Sequence, residues 1–234
     1  LKCEVKQIEF PRFDSDGNHS EPWRGNAIFR TLFSLTDGTH AGYERILDEK
    51  VQRSPDDKPN DKYVTKGSTT AGAATPISYQ PHDLASLKGE VIVCAGLADG
   101  YRLNEATGLP VICGVGEANI PGNVALLQNH YPALVPIAAV DNDKAGKLDG
   151  EKSGCTWTCP KSAKDWSDVY QQSGREAVLA EYQEGMTVPV KPELETREEA
   201  DDERKAQSDL IVEFVLASND LFHDENDVAY AQNM

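Results

Sequence analysis

Three short apolar runs, each ending close to a glycine or an aspartate, limit what this chain can fold into more than any other feature. They are Val91-Ile92-Val93-Cys94, Leu109-Pro110-Val111-Ile112-Cys113 and Val135-Pro136-Ile137-Ala138-Ala139-Val140. A run without polar alternation is expected of a strand buried on both faces, and such strands belong to parallel sheets covered by helices. The segments between them carry helical spacing. Residues 97–107 keep it and stop at Gly108, a natural C-terminal cap. Residues 123–130 predict a second helix, with Val124 and Leu127 on one side. Cys155-Thr156-Trp157-Thr158-Cys159 alternates as a fourth strand, and residues 165–182 read as a closing helix. The expectation is an open α/β domain over residues 89–186. In such sheets ligands sit beyond the carboxyl ends of the strands.

The flanks have other textures. Residues 1–88 are irregular, punctuated by Asp16-Gly17 and Asp37-Gly38, with Ala27-Ile28-Phe29 and Thr31-Leu32-Phe33 reading as separate strands. Residues 53–62 read as an exposed loop, and the whole segment as a small β-rich (α+β) lobe. Residues 187–234 hold 13 acidic and 4 basic residues. The charge run over 193–209 predicts a solvated helix or linker. Leu210-Ile211 and Phe214-Val215 fall on one helical stripe, expected to dock on a neighbour, and residues 221–230 resemble a hairpin cut short. This tail reads as a connection to a following domain. The chain opens on Leu1 rather than Met and is expected to be a piece of something longer.

Composition narrows the function classes. The formal net charge of −16 argues against coating nucleic acid by charge alone. It leaves room for a local basic site or a metal-dependent one. No apolar run approaches the roughly 18 residues of a membrane helix, and no signal peptide opens the chain. No membrane partner is expected. Five cysteines are too few and of odd number for a disulfide scaffold, which points to a reducing cytosol.

The sharpest local feature is Asp141-Asn142-Asp143, directly after the third apolar run. Two carboxylates two positions apart can turn toward one Mg²⁺, which takes oxygen ligands. A cation there neutralises phosphate charge in phosphoryl transfer. Asp and Asn are also common turn formers, so the triplet alone leaves both readings open. Lys164-Asp165-Trp166-Ser167-Asp168 adds carboxylates to the same rim. Asp168 can equally be a first-turn acid favoured by the helix dipole.

Other candidates carry less. Cys155 and Cys159 share one face of a strand and, with no second Cys or His pair, read as core rather than zinc ligands. The five histidines are scattered, and Gly114-Val115-Gly116 lacks the third glycine of a dinucleotide fingerprint. Trp157 and Trp166 can stack on bases or fill the core.

The ordered set resembles the TOPRIM domain of primases, topoisomerases and some nucleases, and within it the DNA primases of conjugative plasmids and phages. The carrying residues are Val91-Ile92-Val93-Cys94-Ala95-Gly96-Leu97-Ala98-Asp99-Gly100, Asn104-Glu105-Ala106-Thr107-Gly108-Leu109-Pro110-Val111, Gly116-Glu117-Ala118-Asn119-Ile120, Ala139-Val140-Asp141-Asn142-Asp143 and Lys164-Asp165-Trp166-Ser167-Asp168. Upstream, Lys62-Tyr63-Val64-Thr65-Lys66-Gly67, Gly72 and Ile77 resemble the lobe that precedes TOPRIM in these proteins.

This resemblance implies a Rossmann-like parallel sheet over residues 89–186, a β-rich primase lobe over 1–88, and an acidic linker over 187–234. It implies Mg²⁺- or Mn²⁺-dependent nucleotidyl transfer, joining ribonucleoside triphosphates into short primers on single-stranded DNA. A helicase or other replication domain would follow, in the cytoplasm of a bacterial or phage-infected cell. Asp141 and Asp143 match the family's metal ligands and Asp165 its further aspartate, with Asp99 and Asp168 as lesser members. Lys62, Lys66, Arg102, Asn119 and Lys164 fall where nucleic acid or nucleotide is bound. One position departs: where the family has a glutamate before the glycine, this chain has Ala95. A methyl group neither moves a proton nor binds a cation, so impaired catalysis is expected. That departure keeps a second class open, a non-catalytic TOPRIM-like module binding nucleic acid or partner proteins. A TOPRIM nuclease is a third, without an identifiable catalytic tyrosine motif.

Overall fold

The structure, a computed structural model, describes residues 3–189, 221–223 and 229–231. The chain divides into two units, Leu1–Pro189 and Val190–Met234.

The first unit begins with four strands, β1 (Cys3–Phe10), β2 (Trp23–Ser34), β3 (His40–Val51) and β4 (Asn60–Val64), paired antiparallel. The two runs expected as separate strands near residues 27–33 are one strand, β2. Its turn into β3 has Gly38 at φ 71°, a left-handed conformation that suits glycine, while Asp37 Oδ1 accepts the Thr39 N–H. A fifth strand, β5 (Ala73–Ile77), is entirely buried. Its Ala-Ala-Thr-Pro-Ile sequence has few strong strand formers and a proline, so propensity does not announce it.

The second half alternates as expected: β6 (Gly89–Cys94), α1 (Leu97–Thr107), β7 (Val111–Gly114), α2 (Ile120–His130), β8 (Leu134–Ala139), α3 (Lys144–Lys152), β9 (Thr156–Thr158) and α4 (Trp166–Glu184). Gly108 ends α1 in the left-handed conformation, as its position predicts. β6 pairs parallel with β7 and β8, and β8 with β9. β5 pairs antiparallel with both β2 and β7, so lobe and α/β half form one sheet, ordered β4-β3-β2-β5-β7-β6-β8-β9, with β1 on β2. The pairing changes from antiparallel to parallel at β7 inside that sheet. The fold class is mixed α/β.

Alternate residues of β6 feed opposite cores, which is why its sequence shows no polar face. Val91 and Val93 pack with Val124 and Leu127 of α2, while Ile92 and Cys94 pack with Leu103 of α1 and Val169 and Val178 of α4. Each fully buried aliphatic side chain contributes about 1.5–3 kcal/mol. Trp157 and Trp166 belong to these cores, as do Cys155 and Cys159. Core filling, rather than base stacking or zinc binding, is therefore what those four side chains do.

Helix α3 has no counterpart in the sequence reading, because Lys-Ala-Gly-Lys-Leu-Asp-Gly-Glu-Lys is poor in apolar residues. Its two glycines permit close approach instead. A Cβ on Gly150 would lie 2.7 Å from the Trp157 indole, and one on Gly146 would lie 2.5 Å from the Asp141 carbonyl oxygen. Helix α4 is interrupted at Gly174, where φ is 81°.

In the second unit, β10 (Leu221–His223) pairs antiparallel with β11 (Ala229–Ala231), Phe222 opposite Tyr230. The hairpin expected over 221–230 is therefore present. The charge run at 193–209 and the stripe at 210–215 lie outside the described residues. Among the described residues, no helix is long and apolar enough to cross a membrane.

Candidate metal centre

The carboxyl ends of β6, β7, β8 and β9 lie along one edge, and the segments leaving them carry the acidic residues. After β8 the chain reaches Asp141 and Asp143. Asp143 is the N-cap of α3, its Oδ1 accepting the Gly146 N–H at 2.9 Å. The Asn142 N–H donates to the Lys164 carbonyl at 2.8 Å and Asn142 Nδ2 to the Ala163 carbonyl at 3.3 Å. These bonds tie the loop after β8 to the loop after β9.

The loop after β7 supplies a residue that the sequence reading passed over. Gly116, at φ 73°, turns the chain into a short 3₁₀ segment, Glu117–Asn119. Asn119 Nδ2 donates to the Val115 carbonyl at 2.5 Å and braces that turn. Glu117 Oε1 accepts the Asp141 N–H at 2.7 Å. One carboxylate oxygen each from Glu117, Asp141 and Asp143 lies within 4.8 Å of the others. A signal for Glu117 existed: it stands directly after Gly114-Val115-Gly116, a Gly-x-Gly turn at a strand's carboxyl end.

Burial and like charge act together on this trio. Asp141 is pushed up to about 7, first by burial and then by Glu117, Asp99 and Asp165, against the opposing field of Lys164. Glu117 is also raised, by burial and then by Asp143 and Asp149, against the bond from the Asp141 N–H. No ion pair of the described residues includes any of the three. An all-oxygen, anionic donor set of this kind fits a hard divalent cation such as Mg²⁺.

Asp165, expected beside Asp141 and Asp143, is among the carboxylates whose charge raises Asp141. It is the N-cap of α4, its Oδ1 accepting the Asp168 N–H at 2.8 Å. The Asp168 side chain sits in the first turn, where the helix dipole favours a carboxylate. Asp99, in the first turn of α1, accepts the Ser167 N–H through Oδ1 at 2.8 Å and is raised by burial and then by Asp165. Lys62 opposes that shift. Asp99, Asp165 and Lys62 line a cavity of about 530 Å³ whose apolar side is formed by Val5, Ile28 and Ile46.

The remaining basic candidates differ in place. Lys62, Lys66 and Lys164 are exposed. Arg102 instead lies over the Tyr170 ring, 3.8 Å from its centroid, with Nη1 3.1 Å from Glu105. Ala95 is half-buried and packs against the core under α2.

No protein-family model matches the chain, and no curated protein matches it significantly. Solved structures do. A chain of a bacteriophage T7 assembly, in which lagging-strand DNA polymerase interacts with primase domains of two gp4 subunits bound to an RNA/DNA hybrid and dTTP, aligns with a TM-score of 0.50 at 14% identity, covering 70% of this chain and 79% of that one. A DNA primase domain from Pseudomonas aeruginosa aligns with a TM-score of 0.50 at 12% identity, covering 76% of this chain and 57% of that one. A DnaG primase catalytic domain bound to ssDNA aligns at 0.47 and 14% identity, covering 68% of this chain and 52% of that one. The chain thus spans little more than half of those two DNA primase structures. At such identities the likeness is one of fold: this chain has a mixed α/β fold similar to that of the primase domains in those structures.

Proposed function

We propose that this chain is part of a DNA primase of the plasmid or phage type, carrying out Mg²⁺- or Mn²⁺-dependent joining of ribonucleotides on single-stranded DNA. The observation that carries the reading is the carboxylate group at Asp141 and Asp143, on the carboxyl edge of a sheet with primase architecture. In this reading residues 1–88 are the primase lobe, 89–186 the TOPRIM domain and 187–234 a linker toward a helicase or other replication domain. The setting is the cytoplasm of a bacterial or phage-infected cell.

A divalent cation bound here supplies charge neutralisation for the phosphates and the departing oxygen. The protein's part is to hold it through Asp141, whose N–H is bound by Glu117, and Asp143, whose Oδ1 accepts the Gly146 N–H, with Asn142 between them tied to the Lys164 carbonyl. Lys62, Lys66 and Lys164 meet phosphates of nucleotide or template. Asp165 and Asp99 stand beside the cavity on which Val5, Ile28 and Ile46 offer an apolar surface. Arg102 and Asn119 shape the surrounding surface through Tyr170 and Val115. Ala95 provides no proton carrier at the end of β6, so turnover is impaired. The acidic edge repels nucleic acid until cations bind.

The test is binding of a fluorescent single-stranded oligonucleotide with and without Mg²⁺ or Mn²⁺. Binding that requires the cation and is lost in Asp141→Ala supports the reading. Undiminished binding in EDTA overturns it. Ala95 favours a second reading, a module that binds nucleic acid without catalysis. Cation-dependent binding with no primer synthesis even after Ala95→Glu selects it.

A further inference from the structure

We infer that Asn123 is a positioning residue for the side chain carried at position 95, where this chain has alanine. Asn123 lies in the first turn of α2 and is 0% exposed. Neither its Nδ2 nor its Oδ1 has a hydrogen-bond partner among the described residues. Buried polar groups are normally paired, because each gave up water on folding, so an amide orphaned at both atoms calls for a cause.

The strand register supplies one. Cys94 of β6 lies opposite Cys113 of β7, so Ala95 and Gly114 come side by side where the two strands end. Successive side chains alternate across the sheet. Cys94 and Cys113 pack on the side of α1 and α4, and Ala95 on the side of Val124 and Leu127 of α2. A Cβ on Gly114 would lie 2.7 Å from Asn123 Nδ2. The glycine therefore leaves the amide room to stand over the ends of both strands, which are only about 5 Å apart. The methyl of Ala95 offers no acceptor. A glutamate or glutamine in its place spans the gap and ends in an oxygen able to accept the Nδ2 hydrogen. What a carboxylate held there does rests on the nucleotidyl-transfer reading above; where it is held does not. The bond from Nδ2 favours the ionised form and so lowers the pH at which that carboxylate works as a base.

The experiment has two arms. The first combines Ala95→Gln and Asn123→Leu in a double-mutant cycle read by thermal unfolding in EDTA, glutamine being chosen because it adds no charge to the acidic edge. Asn123→Leu alone should unfold at or above the temperature of the parent, because an apolar side chain of similar size removes both orphan groups. In the Ala95→Gln background the same change should lower the unfolding temperature, since it now removes a bonded partner. Equal shifts in the two backgrounds overturn the inference. Asn123→Ala serves in the same cycle if the leucine variant does not fold. The second arm compares Ala95→Glu with and without Asn123→Leu in primer synthesis across pH. Loss of the amide should move the acid limb of the profile up by about one pH unit, a tenfold loss of rate on that limb. A purely structural role would leave the limb in place, and an unmoved limb in an active Ala95→Glu enzyme overturns the inference. Coupling in the first arm with an inert Ala95→Glu supports the placement by Asn123 and overturns the nucleotidyl-transfer reading of position 95.

Discussion

Arg30 of β2 donates through Nη2 to the Gly114 carbonyl at the end of β7, 2.8 Å away, although 84 residues separate them. The same guanidinium donates through Nη1 to Cys113 Sγ at 2.9 Å, and its Nε lies 2.5 Å from Glu44 Oε2. Arg30 is 1% exposed and Glu44 4%. The buried ion pair thus joins β2 to β3, and the other two nitrogens of the same guanidinium fasten β2 to β7, the strand whose loop delivers Glu117.

This pair gives the first prediction. Removing one partner leaves the other charge buried and uncompensated, at a cost of about 3–5 kcal/mol. Glu44→Ala is therefore expected to be strongly destabilised in urea unfolding. The double change Arg30→Met with Glu44→Leu should lose much less, because no unpaired charge remains. Equal losses in both would show that shape, not charge, decides this site.

The α/β half was legible because its signals are local. Continuous apolar strands, the helix at residues 97–107 and the glycine that ends it follow from burial on two faces and from the left-handed cap. Asp141 and Asp143 were legible because a short acidic turn follows a buried strand. β5 and α3 were not, since each exists by tertiary fit. β5 is held between β2 and β7, and α3 depends on glycines that let it approach Trp157 and Asp141. Glu117 was hidden for a related reason. Which carboxylate completes the group depends on strand order, and the position of β6 between β7 and β8 is not written in residue spacing.

The second prediction concerns pH in the absence of metal. Folding raises Asp141 to about 7, well above an ordinary aspartate. The folded state therefore holds this proton more tightly than the unfolded one. Stability from this source is complete below about pH 4 and is lost as pH rises through 7. Burial and neighbouring acids raise Glu117 and Asp99 in the same sense. In EDTA the unfolding temperature should fall from about pH 4 to about pH 7 and level off above that, the interval in which only the folded state holds the proton. Asp141→Asn should flatten the fall, as should saturating Mg²⁺. A profile identical in parent and Asp141→Asn would remove Asp141 from this role.

The third prediction tests the close approach of α3. A methyl group at position 146 would meet the Asp141 carbonyl oxygen at 2.5 Å, and backbone cannot swing aside as a side chain can. Gly146→Ala should cost about 1–3 kcal/mol. It should also weaken Mn²⁺ binding, because the Gly146 N–H that holds Asp143 moves with the helix. Gly122→Ala, a glycine with open space around its Cβ direction, is the control expected to do neither. Calorimetry and thermal unfolding on the same samples check both halves.

The last prediction returns to Ala95, between Cys94 of β6 and Gly96. A general acid or base at a reacting centre contributes ~10²–10⁴-fold to rate. Ala95→Glu is expected to raise primer synthesis by that order, measured with labelled ribonucleoside triphosphates on single-stranded DNA. The gain should disappear when Asp141→Ala is added, since a proton carrier is of no use without the cation it works beside. The substitution also has a structural cost. Ala95 is half-buried against the core under α2, and its replacement adds a carboxylate near an edge that already holds Glu117, Asp141 and Asp143. In EDTA the variant should therefore unfold at a lower temperature than the parent. Mg²⁺ should recover more of that loss than it adds to the parent, because a cation that binds the folded state stabilises it in proportion to how tightly it is held. A variant as inert as its parent, with the cation bound and the fold intact, would show that position 95 is not the site of a missing proton carrier.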